Sequence, residues 1–254
     1  MMLLTTEEIS ALKLSFGFSV CAATIGTIGS IALGFFLSRS RIRGKWIIES
    51  VANLPLVLPP VVTGYILLVL LAPSGPIGKI LEGLGFKIIF TPYAAIVAAA
   101  VVSFPLALRT IKLSFDSINN EIEKTARTLG ASKTSVFFEI TLPLAKNGII
   151  AGWLLAFARS LGEFGATIMI AGNIAGRTQT IPLAIFSKAT QPGGIDQSWR
   201  LVVLSIIISC IAIAFGEIIG KGKFPKLRKN PEKNKDERDI NFYTGKERLV
   251  GKNG

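Results

Sequence analysis

Arg159 and Glu163 stand four residues apart inside the apolar run NGIIAGWLLAFARSLGEFGATIMIA. On a helix this spacing puts both on one face, where guanidinium and carboxylate can pair. A charge at the centre of a bilayer costs about 2.5–3.5 kcal/mol on insertion scales. The pair is therefore expected to face other helices or a wet cavity rather than lipid. Two readings stay open at this point: a polar gate or pathway wall, and an interhelical ion pair that fixes packing. Other chemistry is scarce. The chain has no His, which excludes imidazole bases, Ser-His-Asp triads and His-ligated metal sites. Cys21 and Cys210 lie far apart in apolar runs and read as small reduced hydrophobes rather than a redox or metal motif. A phosphate-cradling loop needs G-x-x-x-x-G-K-[ST]. The nearest imitation, Gly216 to Lys221, lacks that spacing and the hydroxyl residue.

The elements that must position these residues follow from composition. Half of the 254 residues are apolar and 17% are charged, against about 25% charged in a soluble domain. Mean hydropathy is +0.55. The balance predicts an all-α integral membrane protein. A spanning helix needs about 20 mostly apolar residues, and five stretches qualify, at about 14–37, 47–71, 93–109, 147–171 and 200–220. The first is long for a cleavable leader, and its basic residues follow it, so it reads as a retained helix. Ile181 to Phe186 is too short to span and is expected as a short or re-entrant helix.

Basic residues orient the spans. Segment 38–46 carries Arg39, Arg41, Arg43 and Lys45 with no acid, and loop 110–146 carries five Lys/Arg. Segments 72–92 and 172–199 carry two each. Five spans then place the N-terminus outside and 38–46, 110–146 and the C-terminus in the cytoplasm. The net charge of +12 is mostly this topology signal. No folded basic surface points to nucleic acid. The organisation expected is a membrane domain over 1–222 and a basic, disordered cytoplasmic tail over 223–254, either solvated or touching anionic headgroups.

Within the spans, Ala22, Gly26, Ser30 and Gly34 recur at the spacing that lets two helices approach closely. Pro55, Pro59, Pro60 and Gly64 interrupt the second span. Broken helices in a membrane are tolerated where protein or a cavity satisfies the freed backbone, and they often mark a transport path. An ordinary packing kink is the alternative.

The loop 110–146 is too patterned for a simple turn. Ile118, Ile122, Ala126 and Leu129 fall at helical spacing, which predicts one buried face. Gly130 suits the position past a helix end, and Ser132 can cap a second short helix through Phe138. Pro143 suits the start of the next span. Leu129, Phe137 and Phe138 would then be partly exposed beside charges. That fits a docking surface for another protein, or packing beneath the protein's own helix ends.

Here a resemblance enters. Lys124-Thr125-Ala126-Arg127-Thr128-Leu129-Gly130, nine residues, then Ile140-Thr141-Leu142-Pro143 resembles the EAA loop of ABC importer permeases, E-A-A-x-x-x-G, nine residues, I-x-L-P. Lys124 stands at the usual Glu, Thr125 at the first Ala, and Glu123 falls one residue early. The stretch FARSLGEFGATIMIAGNIAGRTQTIPLAIF over 157–186, with Gln191-Pro192-Gly193-Gly194, is similar to molybdate ABC transporter permeases. The likeness covers about residues 7–220.

This resemblance implies a type I ABC importer permease, working as a homodimer with the pathway at its interface. It implies two ATP-binding cassette subunits on the cytoplasmic face, holding the ATP and Mg, with no cofactor on this chain. It also implies an extracytoplasmic oxyanion-binding protein. Arg127, Leu129, Gly130, Ala131, Ser132, Phe137 and Phe138 map onto the coupling surface. Pro59, Pro60, Arg159 and Glu163 are the pathway candidates. A divalent oxyanion would meet amides and hydroxyls along its path rather than a tight charged cage. The cargo implied is molybdate, with tungstate, sulfate or thiosulfate as alternatives in the same machine. A stand-alone channel would need no docking loop, and a membrane enzyme would need clustered catalytic groups.

Overall fold

The computed structural model describes residues 5–40 and 42–220, all of whose regular elements are helical. The tail expected over 223–254 lies outside the described residues. Helix α1 spans Thr6–Arg39. Thr5 caps it through its side chain while Glu8 reaches back to the Thr5 amide, so two of the four orphan donors at the helix start are satisfied reciprocally. Helix α5, Pro92–Asp116, packs along α1. The small residues of α1 sit at this contact as expected. Ala22 packs with Ala99 and Ala100, and a Cβ on Gly34 would lie 3.4 Å from the Lys112 amide nitrogen.

The expected second span is two helices, α2 (Lys45–Val57) and α3 (Pro60–Leu71), bent by 115°. The physical reason is the Pro59-Pro60 pair. Neither can donate a backbone hydrogen bond, and each drives the residue before it out of the helical region. Leu58 and Pro59 accordingly take ψ of 144° and 134°. Pro60 then occupies the first turn of α3, where its missing N–H is harmless. Short helix α4 covers Pro76–Gly83.

Beyond α5, α6 covers Asn120–Thr128 and α7 covers Lys133–Ser135. A π turn, Val136–Thr141, then leads into α8, Leu142–Leu161. The second short helix therefore does not stop at Phe138; it runs on into the span. Pro143 is tolerated inside this continuous helix because the preceding turn is widened, with the Leu142 amide donating to the Phe137 carbonyl five residues back. The expected span over 147–171 is likewise divided. Helix α8 ends at Leu161, and α9 covers Gly165–Ala171. Helix α10, Ile181–Ala189, is the short helix expected at Ile181 to Phe186. Helix α11 is Ile195–Gly220.

Among the described residues, three helical stretches are thus long and apolar enough to cross a membrane: α1, α5 and Lys133–Leu161. The bent α2–α3 pair makes a fourth if it counts as one span, and α11 contributes a shorter apolar stretch, Ser198–Ile211. The five-span expectation treated the two broken helices as continuous. A core of α1, α5 and α8 centres on Ala107, Ile111, Phe115, Ala145 and Ala156. Gly152 lets α8 close on α5, since a Cβ there would meet Ile111 at 2.8 Å and the Ala107 carbonyl at 3.2 Å.

Candidate functional site

Both broken helices meet. A Cβ on Gly64 of α3 would lie 2.7 Å from the Ala166 Cα of α9, and one on Gly165 would lie 3.0 Å from the Pro60 ring. This contact exists because two glycines, Gly64 and Gly165, and Ala166 leave the two backbones bare. Glu163 sits in the α8–α9 break, 3% exposed. One carboxylate oxygen accepts the Ala166 amide at 2.8 Å, satisfying a free donor at the start of α9. The other pairs with Arg159 at 2.9 Å. The Arg159 side chain is 29% exposed while Glu163 is 2% exposed, so the guanidinium is the half of the pair that reaches a surface. Ser160 ties the same turn to α5 by donating to the Ala99 carbonyl at 3.4 Å. Thr63, beside Gly64, is buried with its hydroxyl unpartnered. Pro59 is exposed at the other break. The structure therefore brings Pro60, Glu163 and Arg159 to one junction of two discontinuous helices.

The second assembly lies where α1 and α5 end and α6 begins. Asn119 caps α6 through its side chain, and Glu121 and Glu123 in the first turn suit its positive end. The far end closes in a Schellman motif: the Gly130 amide donates to Arg127 and the Ala131 amide to Ala126, each at 3.1 Å. Gly130 has φ +96°, a region that favours glycine. Ser132 caps the next turn by accepting the Ser135 amide at 3.1 Å.

Leu129 is 83% exposed and Phe138 is 59% exposed, with Ile122 beside them also exposed. Phe137 is half-buried instead, its ring 4.7 Å from Phe35 and 5.0 Å from Phe138. Arg127, Gly130 and Ser132 are exposed and Ala131 is half-buried. Leu129 is thus exposed as expected, while Ile122, on the face expected to be buried, is turned outward. Glu123 and Ala126 face the bundle.

Glu123 is the residue that the sequence reading passed over. Its carboxylate takes a bidentate contact from Arg39 at the end of α1, at 2.7–3.1 Å, and the Thr141 hydroxyl donates to it at 2.9 Å. Arg39 also donates to the Phe115 carbonyl of α5 at 3.1 Å. One ion pair thereby fastens α6 to α1, α5 and the π turn. Burial favours the neutral acid, but the hydrogen bonds and charge of Arg39 and the Thr141 hydroxyl outweigh it and hold the Glu123 carboxyl below its ordinary value. Among the described residues, no group of three or more His, Cys, Asp or Glu side chains could hold a metal.

Comparison with known proteins places this geometry. Residues 26–229 match the family model of binding-protein-dependent transport system inner membrane components. The chain is 47% identical over 221 residues to the molybdenum transport system permease protein ModB of Haemophilus influenzae, covering 87% of this chain and 96% of that one. To ModB of Escherichia coli it is 44% identical over the same shares. The fold is that of ABC importers. An ABC transporter involved in the import of the acidic polysaccharide alginate gives a TM-score of 0.67 at 16% identity, over 87% of this chain and 82% of that one. The alginate transporter in complex with a pentasaccharide-bound periplasmic protein gives 0.64 at 16% identity, over 85% and 79%. The chain belongs to the binding-protein-dependent transport inner-membrane family, in its molybdenum-permease branch.

Proposed function

We propose that this chain is the membrane-spanning subunit of an ATP-driven importer that carries molybdate across the cytoplasmic membrane. Its N-terminus lies outside, and α6 and the C-terminus face the cytoplasm. Two copies form the pathway, with Pro59, Pro60, Arg159 and Glu163 at the junction of broken helices along it. The chain supplies no ATPase site. Two partner subunits hold ATP and Mg, and an extracytoplasmic binding protein delivers the oxyanion.

The observation that carries this reading is the exposed α6 face. A short helix outside the spans is clamped from behind by Glu123 while Leu129 and Phe138 stand open in front. Large apolar side chains at a capped, ion-paired helix end are suited to fill a pocket in a partner. ATP binding by the partners then favours one arrangement of the spans over another. A transporter of similar fold in complex with a pentasaccharide-bound periplasmic protein supports the binding-protein part of this reading, and the relatives' name, molybdenum transport system permease protein, supports the cargo.

Leu129→Asp tests the docking assignment. Co-expressed with the cognate ATP-binding subunit and solubilised in detergent, the wild-type chain should retain that subunit on an affinity column. The variant should reach the membrane and lose it. Equal retention by both would refute the assignment.

A further inference from the structure

Behind α6 polar contacts link four helices. Glu123 of α6 holds Arg39 of α1 at 2.7 Å. Arg39 donates to the Phe115 carbonyl of α5 at 3.1 Å. The next residue along α5, Asp116, accepts from Lys112 at 3.0 Å. Lys112 makes a longer ion-pair contact, at 3.3 Å, with Glu49 of α2. The series therefore begins on the helix that carries the exposed docking face and ends on the first half of the broken span.

Its far end is the telling part. None of the residues of α2 is buried. A helix with so little packing takes its position from a few specific contacts, and Glu49 supplies one. The other end of α2 is the Leu58–Pro60 break, where a bend of 115° leads into α3, and α3 meets α9 at Gly64. Nothing in the chemistry of docking at α6 requires Glu49 or Lys112.

We propose that Glu123, Arg39, Asp116, Lys112 and Glu49, joined to α5 at the Phe115 carbonyl, form a relay of positioning residues that transmits displacement of α6 to α2, and so to the junction of broken helices. This rests on the reading of α6 as the docking helix. The relay acts by position. None of its members touches cargo or nucleotide. A series of this kind makes a definite thermodynamic statement, because breaking it at one place does the same damage as breaking it at two.

The test uses the whole complex in proteoliposomes, with its ATP-binding subunits and molybdate-loaded binding protein, and reads molybdate taken up per ATP hydrolysed. Glu49→Gln is the first variant. Glu49 is about 33% exposed and remote from α6, so the Arg39–Glu123 clamp stays intact. Uptake per ATP should fall by about tenfold while ATP-binding subunits stay attached. Glu123→Gln should give a similar fall, and the double variant should again lose about tenfold rather than about a hundredfold. A wild-type ratio in Glu49→Gln overturns the relay, as does a double variant whose losses multiply. Leu129→Asp in the same preparation keeps the two ideas apart. If it releases the ATP-binding subunits while Glu49→Gln is silent, the docking reading stands and the relay falls. If it retains them, the docking reading falls and takes the relay with it.

Discussion

Gly130 offers the cleanest separation of backbone strain from partner contact. Its φ of +96° is needed to close the Schellman motif that ends α6, and a Cβ built on it would meet nothing within 4 Å. In the free chain, then, substitution costs backbone energy alone. For an L-residue in the left-handed region that is about 1–2 kcal/mol. It appears as a roughly five- to thirtyfold loss of the population in which α6 ends where it does. Gly130→Ala should bear the full cost. Gly130→Asn should bear less, because its short amide side chain stabilises this conformation locally. Gly130→Asp is isosteric with the Asn variant and adds only charge, so the difference between them reports what the docked face tolerates. The assay is molybdate uptake by the reconstituted complex, with retention of the ATP-binding subunit as control. The expected order is Gly, then Asn, then Ala. If Ala matches Gly, strain is not what this position guards against. If Asn is worse than Ala, side-chain bulk against the partner decides, and the backbone argument is refuted.

Three further outcomes follow from the geometry. Gly64→Ala places a Cβ 2.7 Å from the Ala166 Cα and 2.8 Å from the Met169 Cβ. Overpacking of this kind costs about 1–3 kcal/mol, so the detergent-solubilised protein should melt earlier than wild type, while Gly83→Ala, with open space around it, should not. Arg159→Gln leaves Glu163 buried with the Ala166 amide as its remaining partner in the break. Uptake should drop, and adding Glu163→Gln should recover thermal stability without recovering uptake; full transport and assembly in the single variant would remove Arg159 from the pathway. Glu123 makes stability pH-dependent. Its carboxyl is held below the ordinary value in the fold, so its contribution is complete above the unfolded carboxylate value of about 4.3 and is lost as pH falls through the lower folded one. Melting temperatures across pH 3 to 6 should fall less steeply in Glu123→Gln than in wild type.

Local signals read well from sequence because they need no distant partner. Ser132 caps as expected, Gly130 ends α6 as expected, and Arg159 and Glu163 pair across one helical turn. The small residues of α1 predicted a close helix contact, and α5 supplies it. What failed was long-range or directional. Prolines announced an interruption near residue 59, but the spacing of prolines carries no bend angle, and the 115° turn was not legible. Pro143 falls in the first turn of α8 as expected, but the π turn that joins α8 to the preceding helix has no sequence period of its own. Glu123 read as a misplaced motif residue and Arg39 as a topology marker. Their pairing across 84 residues depends on α1 and α5 ending at the same level. Leu129 is exposed as expected, but Ile122 was assigned to a buried face by spacing alone, which finds an apolar stripe but cannot say whether the chain itself covers it.

On the proposed function, this chain conducts molybdate only as part of an ATP-driven complex. The most direct measurement is ATP hydrolysis by the reconstituted complex, with its binding protein added empty or loaded with molybdate, tungstate or sulfate. Stimulation by the molybdate- and tungstate-loaded protein, without stimulation by sulfate, is the predicted result. Stimulation by sulfate alone would keep the importer and discard the cargo. Molybdate flux through the chain without any ATP-binding subunit would contradict the account.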